Sequence, residues 1–447
     1  MKRDLKPVRK INGRIRVPGD KSIAHRAAIL SILAGGSLRV RNYPENADCR
    51  TSLNAARALG VNIEEEDGCL ILTPPTRIQI PHDTIIDCGN SGTTTRLLAG
   101  LIAGTDQRVI LTGDESLSKR PMNRVVEPLC DMGAEATATD GHLPLMVQGQ
   151  KLLPFEYRLP VASAQVKSAL LLAALASGCS VTLREDTITR DHTELMMAHL
   201  GATIVCREVS PVLQPDPVDP RKKRRIMPEP FRKEIRLGSR SKIAGGEIDI
   251  PGDLSTAAFF FAAAALHRGT ITAEQVGLNT TRTAFLEHLR AIGCRVDIAN
   301  RSVVCGEARG DVTVTGGELK GRKVAGETTV ALIDEIPIVA VLAAFSQGET
   351  IIRNAAELRV KESDRLEAIA YNLQAMGVPC GVLEDGLIIE GRKEPSGGDF
   401  KSWGDHRIAM AFSIAALAAV GPSNMDDSEV VDVSCPGFYE LLGQIAR

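Results

Sequence analysis

Apolar residues along this chain gather in six runs whose pattern differs from that of the segments between them. Each run follows a short polar or glycine-rich turn, is rich in Ala and Leu, ends at a small-residue break, and leads into a segment that alternates apolar and polar positions. Alternation with period two predicts a half-buried strand, whereas a longer run apolar nearly all round predicts a helix buried inside a domain. The runs begin at Ser22, Ser91, Ser163, Ser255, Asp334 and Asp405, spaced 69 to 92 residues apart. A second marker falls between them in ALGVNI, DMGAEA, HLGATI, AIGCRV and AMGVPC, at Gly60, Gly133, Gly201, Gly293 and Gly377. Each reads as a helix ended by glycine and followed directly by a strand. The stretches VPGDKSIAHRA and IPGDLSTAAFF are the most alike, and they divide the chain into two halves of three units. Repeats of this order predict an α/β fold of two similar domains, each with three helices wrapped by strands.

Composition narrows the function. The 447 residues exceed one ordinary core, and 44% are hydrophobic against 24% charged. One Trp and four Tyr provide little for stacking bases, and a net charge of -2 means that any anion site must come from local clustering. Ten cysteines form no C-x-x-C pair, which argues against structural zinc and a disulfide framework. No charge-free apolar run reaches membrane-spanning length, so a soluble cytoplasmic protein is expected. The stretch Arg221 to Lys242 holds ten Lys or Arg against two Glu. Its prolines favour a solvated loop leading into the strand EIRL over a nucleic-acid patch.

The segment GDKSIAHR, Gly19 to Arg26, ends like a nucleotide-binding loop but is not one. Asp20 separates Gly19 from Lys21, and Pro18 has no N–H to give a phosphate. What remains is a glycine turn opening on a helix start, which offers N–H donors and partial positive charge to an anion. The construction recurs as GNSGT, VASAQ, GDLS, IDEI and GDHR. If the units pack alike, the helix N-termini converge on a cleft between the halves. Cations lie beside these starts: Lys21, Arg26, Arg96, Lys119, Arg120, Arg124, Arg190, Lys361, Arg365 and Arg407, with the carboxylates Asp334, Glu335, Glu362 and Asp405. The pair Asp364 and Glu367 predicts a capped helix start, leaving Lys361 and Glu362 in the loop before it and Arg365 in its first turn.

The stretches VPGDKSIAHRAAIL, GNSGTTTRL, SKRPMNRVVEPL, VASAQVKSALLLA, TRDHTELM, IPGDLSTAAFF, IDEIPIVAVLAA, LRVKESDRL and WGDHRIAMAF run in order over nearly the whole chain. In them the chain resembles the 5-enolpyruvylshikimate-3-phosphate synthase family, which joins the enolpyruvyl group of phosphoenolpyruvate to shikimate 3-phosphate. The resemblance implies an inside-out α/β barrel fold. Its two domains would each contain three βαβαββ units around buried helices, residues 20–243 forming one and residues 1–19 with 244–447 the other. It implies that shikimate 3-phosphate meets Lys21, Ser22, Arg26, Ser163, Ala164, Gln165, Arg190, Asp334 and Lys361. Phosphoenolpyruvate would meet Lys21, Gly92, Arg120, Gln165, Arg365 and Arg407. Asp334 would accept the proton of the 5-hydroxyl, Glu362 would deliver one to C3, and Lys21 would assist.

Neither cofactor nor metal is implied, and the near-neutral charge suits a monomer that binds neither nucleic acid nor membrane. A methyl group at Gly92 would crowd the phosphoenolpyruvate site, so ordinary sensitivity to glyphosate is expected. One departure stands out: VDVSCPGFYELL lacks the Lys that many members carry near the C-terminus. UDP-N-acetylglucosamine enolpyruvyl transferase shares fold and donor but carries a reactive Cys in a mobile loop. The comparable stretch here, DESLSKRPMNR, has none. A binding protein without turnover would have no use for carboxylates in an anion cleft.

Overall fold

The computed structural model describes residues 1–210, 212–215 and 223–446. The six apolar runs are helices: α1 (Lys21–Leu30), α2 (Gly92–Ala103), α3 (Ala164–Ser177), α4 (Leu254–Leu266), α5 (Ile336–Ala344) and α6 (His406–Ala418). Five start on a side-chain cap, from Asp20, Ser91, Ser163, Asp253 and Asp405, each accepting from a backbone N–H of the first turn. At α5 the cap position is Glu335 without such a bond, and a proline occupies the first turn, where its missing N–H costs nothing. The five glycine markers all follow outer helices and have φ between +71° and +116°.

Two separate apolar cores result. One is built on α1, α2 and α3, the other on α4, α5 and α6. Within the first, α2 and α3 approach so closely that a Cβ on Gly100 would stand 2.1 Å from the carbonyl oxygen of Ala169. Only glycine permits that contact. Around each trio lie three small sheets with a common plan. In the second unit Thr84–Asp87 runs parallel to Arg108–Thr112, the two joined by α2, and Arg108–Thr112 pairs antiparallel with His142–Gln148, which in turn pairs with Glu135–Thr139. The sixth sheet has three strands and is completed by the N-terminal Arg3–Leu5 against Ser423–Met425.

The chain crosses between the lobes twice, and each crossing exchanges a strand. Asn12–Ile15, which precedes α1, pairs with Thr270–Gly277 in the second lobe, while Gly246–Asp249, which precedes α4, pairs with Leu38–Arg41 in the first. Ile248 and Ile250 pack in the first core although they follow residue 243. At the crossing the two PGD turns lie side by side. Asp20 N donates to Pro251 O at 2.8 Å and Asp253 N to Pro18 O at 2.9 Å.

The basic stretch from Arg221 is not simply a solvated loop. Arg221 and Lys222 lie outside the described residues, but Lys223–Ile226 pairs antiparallel with Val212–Pro215, which satisfies backbone groups that a loop leaves to water. Lys233–Leu237 is the strand expected at EIRL, and Lys233 is buried against Asp191 at 2.9 Å.

Candidate active site

The first turns of five buried helices, and the segment just before the sixth, open on one cavity of about 810 Å³ between the lobes. Lys21 and Ser22 contribute from α1, Ser91 to Thr93 from α2, and Ser163 to Gln165 from α3. Ser255 and Thr256 contribute from α4, Asp334 from just before α5, and His406 and Arg407 from α6. Helix starts leave backbone N–H groups unpaired, so five of them around one space form a site for anions. Of the residues expected to touch ligands or catalyse, all but Arg26 and Arg365 line this cavity.

Those two lie one layer behind the wall, each held by the protein itself. Arg26 donates to Ser22 O at 2.8 Å, Thr193 Oγ1 at 2.7 Å and Ser168 Oγ at 2.9 Å, and burial brings its pKa down to about 10. Arg365 is 1% exposed and is met by Asp405 and Glu362, each at 2.7 Å, and by Asp334 at 3.8 Å. One guanidinium thus ties together the two carboxylates expected to handle protons. Arg365 occupies the first turn of the helix Arg365–Ala375, whose cap Asp364 accepts from Leu366 N and Glu367 N, and Lys361 and Glu362 precede it.

Asp334 sits in a ring of cations. Arg190 of the first lobe donates to its carboxylate, Arg407 donates to its carbonyl oxygen at 2.8 Å, and Lys361 Nζ lies 4.0 Å from the carboxylate. Burial raises its pKa, but Arg190, Arg407, Lys361 and Arg365 outweigh that and hold the carboxyl well below its usual range. Glu362 behaves alike. Burial opposes ionisation, yet Arg365 and then Arg120, 3.5 Å away across the lobes, keep it well below the usual value. Burial pulls the Lys361 ammonium down, whereas at Lys21 burial is outweighed by its partner Asp48. Arg120 also donates to Asn90 Oδ1 at 2.8 Å, and Arg124 pairs with Glu357 at 2.9 Å. Lys119, by contrast, is exposed and pairs with Glu115. Glu335 and Asp405 are buried, bonded to Ser255 and Arg365.

Several lining residues carried no sequence signal. Asp48 and Arg282 lie in ENADCRTS and NTTRTAF, where single charges look like surface. Asn90, Glu357 and His406 adjoin conspicuous motifs and could have been read from them. Both cavity histidines are neutral, His25 pulled to about 3 and His406 to about 4, chiefly by burial and secondly by Lys21. The C-terminal stretch contributes Ser434 to the wall, with no cation.

A family model for EPSP synthase (3-phosphoshikimate 1-carboxyvinyltransferase) matches residues 5–442. The 3-phosphoshikimate 1-carboxyvinyltransferase of Desulforamulus reducens is 40% identical over 99% of this chain and 98% of its own. That of Roseiflexus castenholzii is 43% identical, with 98% of each covered. EPSP synthase from Acinetobacter baumannii has a similar structure, with a TM-score of 0.81, 35% identity, and 100% and 98% of the two chains aligned.

Proposed function

The chain belongs to the EPSP synthase family and transfers the enolpyruvyl group of phosphoenolpyruvate to shikimate 3-phosphate in aromatic amino-acid biosynthesis, and on that basis we propose how its residues divide the work. Shikimate 3-phosphate lies on the first lobe. Ser163 and the N–H groups of Ala164 and Gln165 take its phosphate, with Lys21, Ser22 and Arg190 beside them and Asp334 and Lys361 reaching across. Arg26 serves by fixing Ser22. Phosphoenolpyruvate lies where Lys21, Gly92, Arg120, Gln165 and Arg407 meet, and several cations suit its high negative charge. Arg365 acts through Glu362 and Asp334, which it holds. The lobes correspond to residues 20–243 and to 1–19 with 244–447, and the strand Gly246–Asp249 is lent to the first. The protein works as a cytoplasmic monomer without nucleic-acid or membrane partners.

Asp334 is ionised in the free site and accepts the 5-hydroxyl proton as that oxygen attacks C2 of phosphoenolpyruvate. Glu362 is also ionised there, and an acid must first gain a proton. Binding of phosphoenolpyruvate supplies the means, because its negative charge engages Arg120 and stands beside the carboxylate, raising its pKa, and Glu362 takes up a proton from solvent as the substrate enters. Glu362 then protonates C3, giving a tetrahedral adduct. Its collapse returns the C3 proton to Glu362 and expels phosphate, which leaves with the proton first taken by Asp334. Lys21 offsets charge on the departing group.

The observation that carries this reading is the single guanidinium of Arg365 between Asp334 at 3.8 Å and Glu362 at 2.7 Å, both facing the cavity. Phosphate release from phosphoenolpyruvate, with and without shikimate 3-phosphate, tests it. Release should require the acceptor and fall about 10²- to 10⁴-fold in Glu362→Gln, the range for loss of a general acid. Release that ignores the acceptor, or a fully active variant, would remove the mechanism.

A further inference from the structure

Three arginines of the first lobe gather near the start of α2, and two are answered by carboxylates of the second. Arg120 has Glu362 at 3.5 Å and Arg124 has Glu357 at 2.9 Å. Arg96 has none: among the described residues no carboxylate oxygen lies within 4.0 Å of it. It is 6% exposed, and its partners are neutral. Nη1 donates to Gln165 Oε1 at 2.9 Å and lies 3.4 Å from Gly92 O, Nη2 donates to Pro121 O at 3.1 Å, and Nε is buried without a partner. Burial first, then Arg124 and Arg120, lower its pKa to about 9. An uncompensated buried charge is costly, so its retention beside an anion cavity points to a ligand that compensates it.

Two neighbours depend on this guanidinium. The first is Gln165, whose amide can face a ligand with either end. With Oε1 taken by Arg96 and one N–H of Nε2 given to Thr93 Oγ1 at 3.0 Å, the free group is the second N–H, a donor suited to an anion. The second is Gly92, the first residue of α2, whose backbone is helical and open to any residue. A Cβ there would stand 2.6 Å from Arg96 Nη1, whereas Arg120 Nη1 and Leu117 Cδ1 would be at 3.5 Å. Of the three only Arg96 would have to give way, and its terminal nitrogen does so only by loosening its bond to Gln165.

We propose that Arg96 is a positioning residue of the phosphoenolpyruvate subsite: it turns the donor end of Gln165 toward the anion and, by occupying the space above Gly92, makes any side chain there disturb that arrangement. This rests on the assignment of that subsite to phosphoenolpyruvate. The test is a double-mutant cycle of Gly92→Ala and Arg96→Met, with Arg96→Lys as the charge-retaining variant. KM for each substrate is measured with the other saturating, and thermal midpoints are measured with and without inorganic phosphate.

Arg96→Met should raise KM for phosphoenolpyruvate on the order of tenfold or more, as expected for loss of a charged hydrogen bond, and leave KM for shikimate 3-phosphate within about twofold. Gly92→Ala should raise KM for phosphoenolpyruvate and lower the midpoint when Arg96 is present, and do little more of either when combined with Arg96→Met. With shikimate 3-phosphate present to fill its own phosphate site, Arg96→Lys should keep most of the rise in midpoint that inorganic phosphate adds and Arg96→Met should lose it. Multiplicative effects of the two substitutions, or equal rises in both KM values, would overturn the proposal. The midpoints need no turnover. A relieved alanine penalty in a protein without acceptor-dependent phosphate release would therefore uphold the contact and reject the functional reading.

Discussion

Replacing Asp334 by Asn keeps shape and removes one charge from the centre of four cations. The carboxylate accepts from Arg190 and has Arg365, Arg407 and Lys361 at 3.8, 3.9 and 4.0 Å. Breaking a buried ion pair from one side costs about 3–5 kcal/mol, and the 15% exposure of this side chain places the loss near the lower end, about 3 kcal/mol. The loss has a defined pH dependence. The folded-state carboxyl is held well below its ordinary value, so its stabilisation is complete above the unfolded pKa of about 3.9 and declines as pH falls toward the folded one. The gap between wild type and Asp334→Asn should therefore be constant from pH 7 to about 5 and shrink by about 1 kcal/mol near pH 3. Urea unfolding followed by fluorescence of Trp403, the sole tryptophan, packed edge-on against Tyr371 of the helix Arg365–Ala375, measures it. The same variant should lose about 10²- to 10⁴-fold in kcat as the proton acceptor disappears. Equal stability at pH 7, a gap unchanged at pH 3, or kcat within tenfold of wild type would deny Asp334 this role.

Two further outcomes follow from buried charge. Lys167 is fully buried between Glu194 at 2.8 Å and Glu185 at 3.1 Å, so Lys167→Met should cost about 3–5 kcal/mol in denaturant titration, and adding Glu194→Gln should recover part of it. His25 and His406 are held neutral at about 3 and about 4, so kcat against pH should show no histidine step between pH 5 and 8; an inflection near 6.5 that vanishes in His406→Gln would contradict this.

The helical plan was legible because it rests on local rules. Apolar runs flanked by Asp or Ser caps, and glycine at the exits of the outer helices, report burial and backbone geometry residue by residue. The capped start at Asp364 is the clearest case, since a short polar side chain and the N–H groups it accepts from are neighbours in sequence. The exchange of strands was only half legible: the family resemblance placed residues 1–19 with the second lobe, but it also left Gly246–Asp249 there. Asn12–Ile15 and Gly246–Asp249 are each short and suited to either sheet, and what decides their partners is which lobe closes over which edge. The same limit hid Asp48, whose tie to Lys21 depends on how the helix Ala47–Ala58 packs on α1.

Six buried helices, two matched halves and a surplus of cations at helix starts can be read from the residues alone, because periodicity and capping act over a few residues. Which cations face the cavity is set by packing between distant segments. Arg26 and Arg365 stand in motifs beside Lys21 and Glu362, yet they turn inward to Thr193 and Asp405, while Arg190 reaches across to Asp334. The reason is physical. A buried guanidinium goes where its hydrogen bonds can be completed, and those partners lie in segments 40 to 167 residues away.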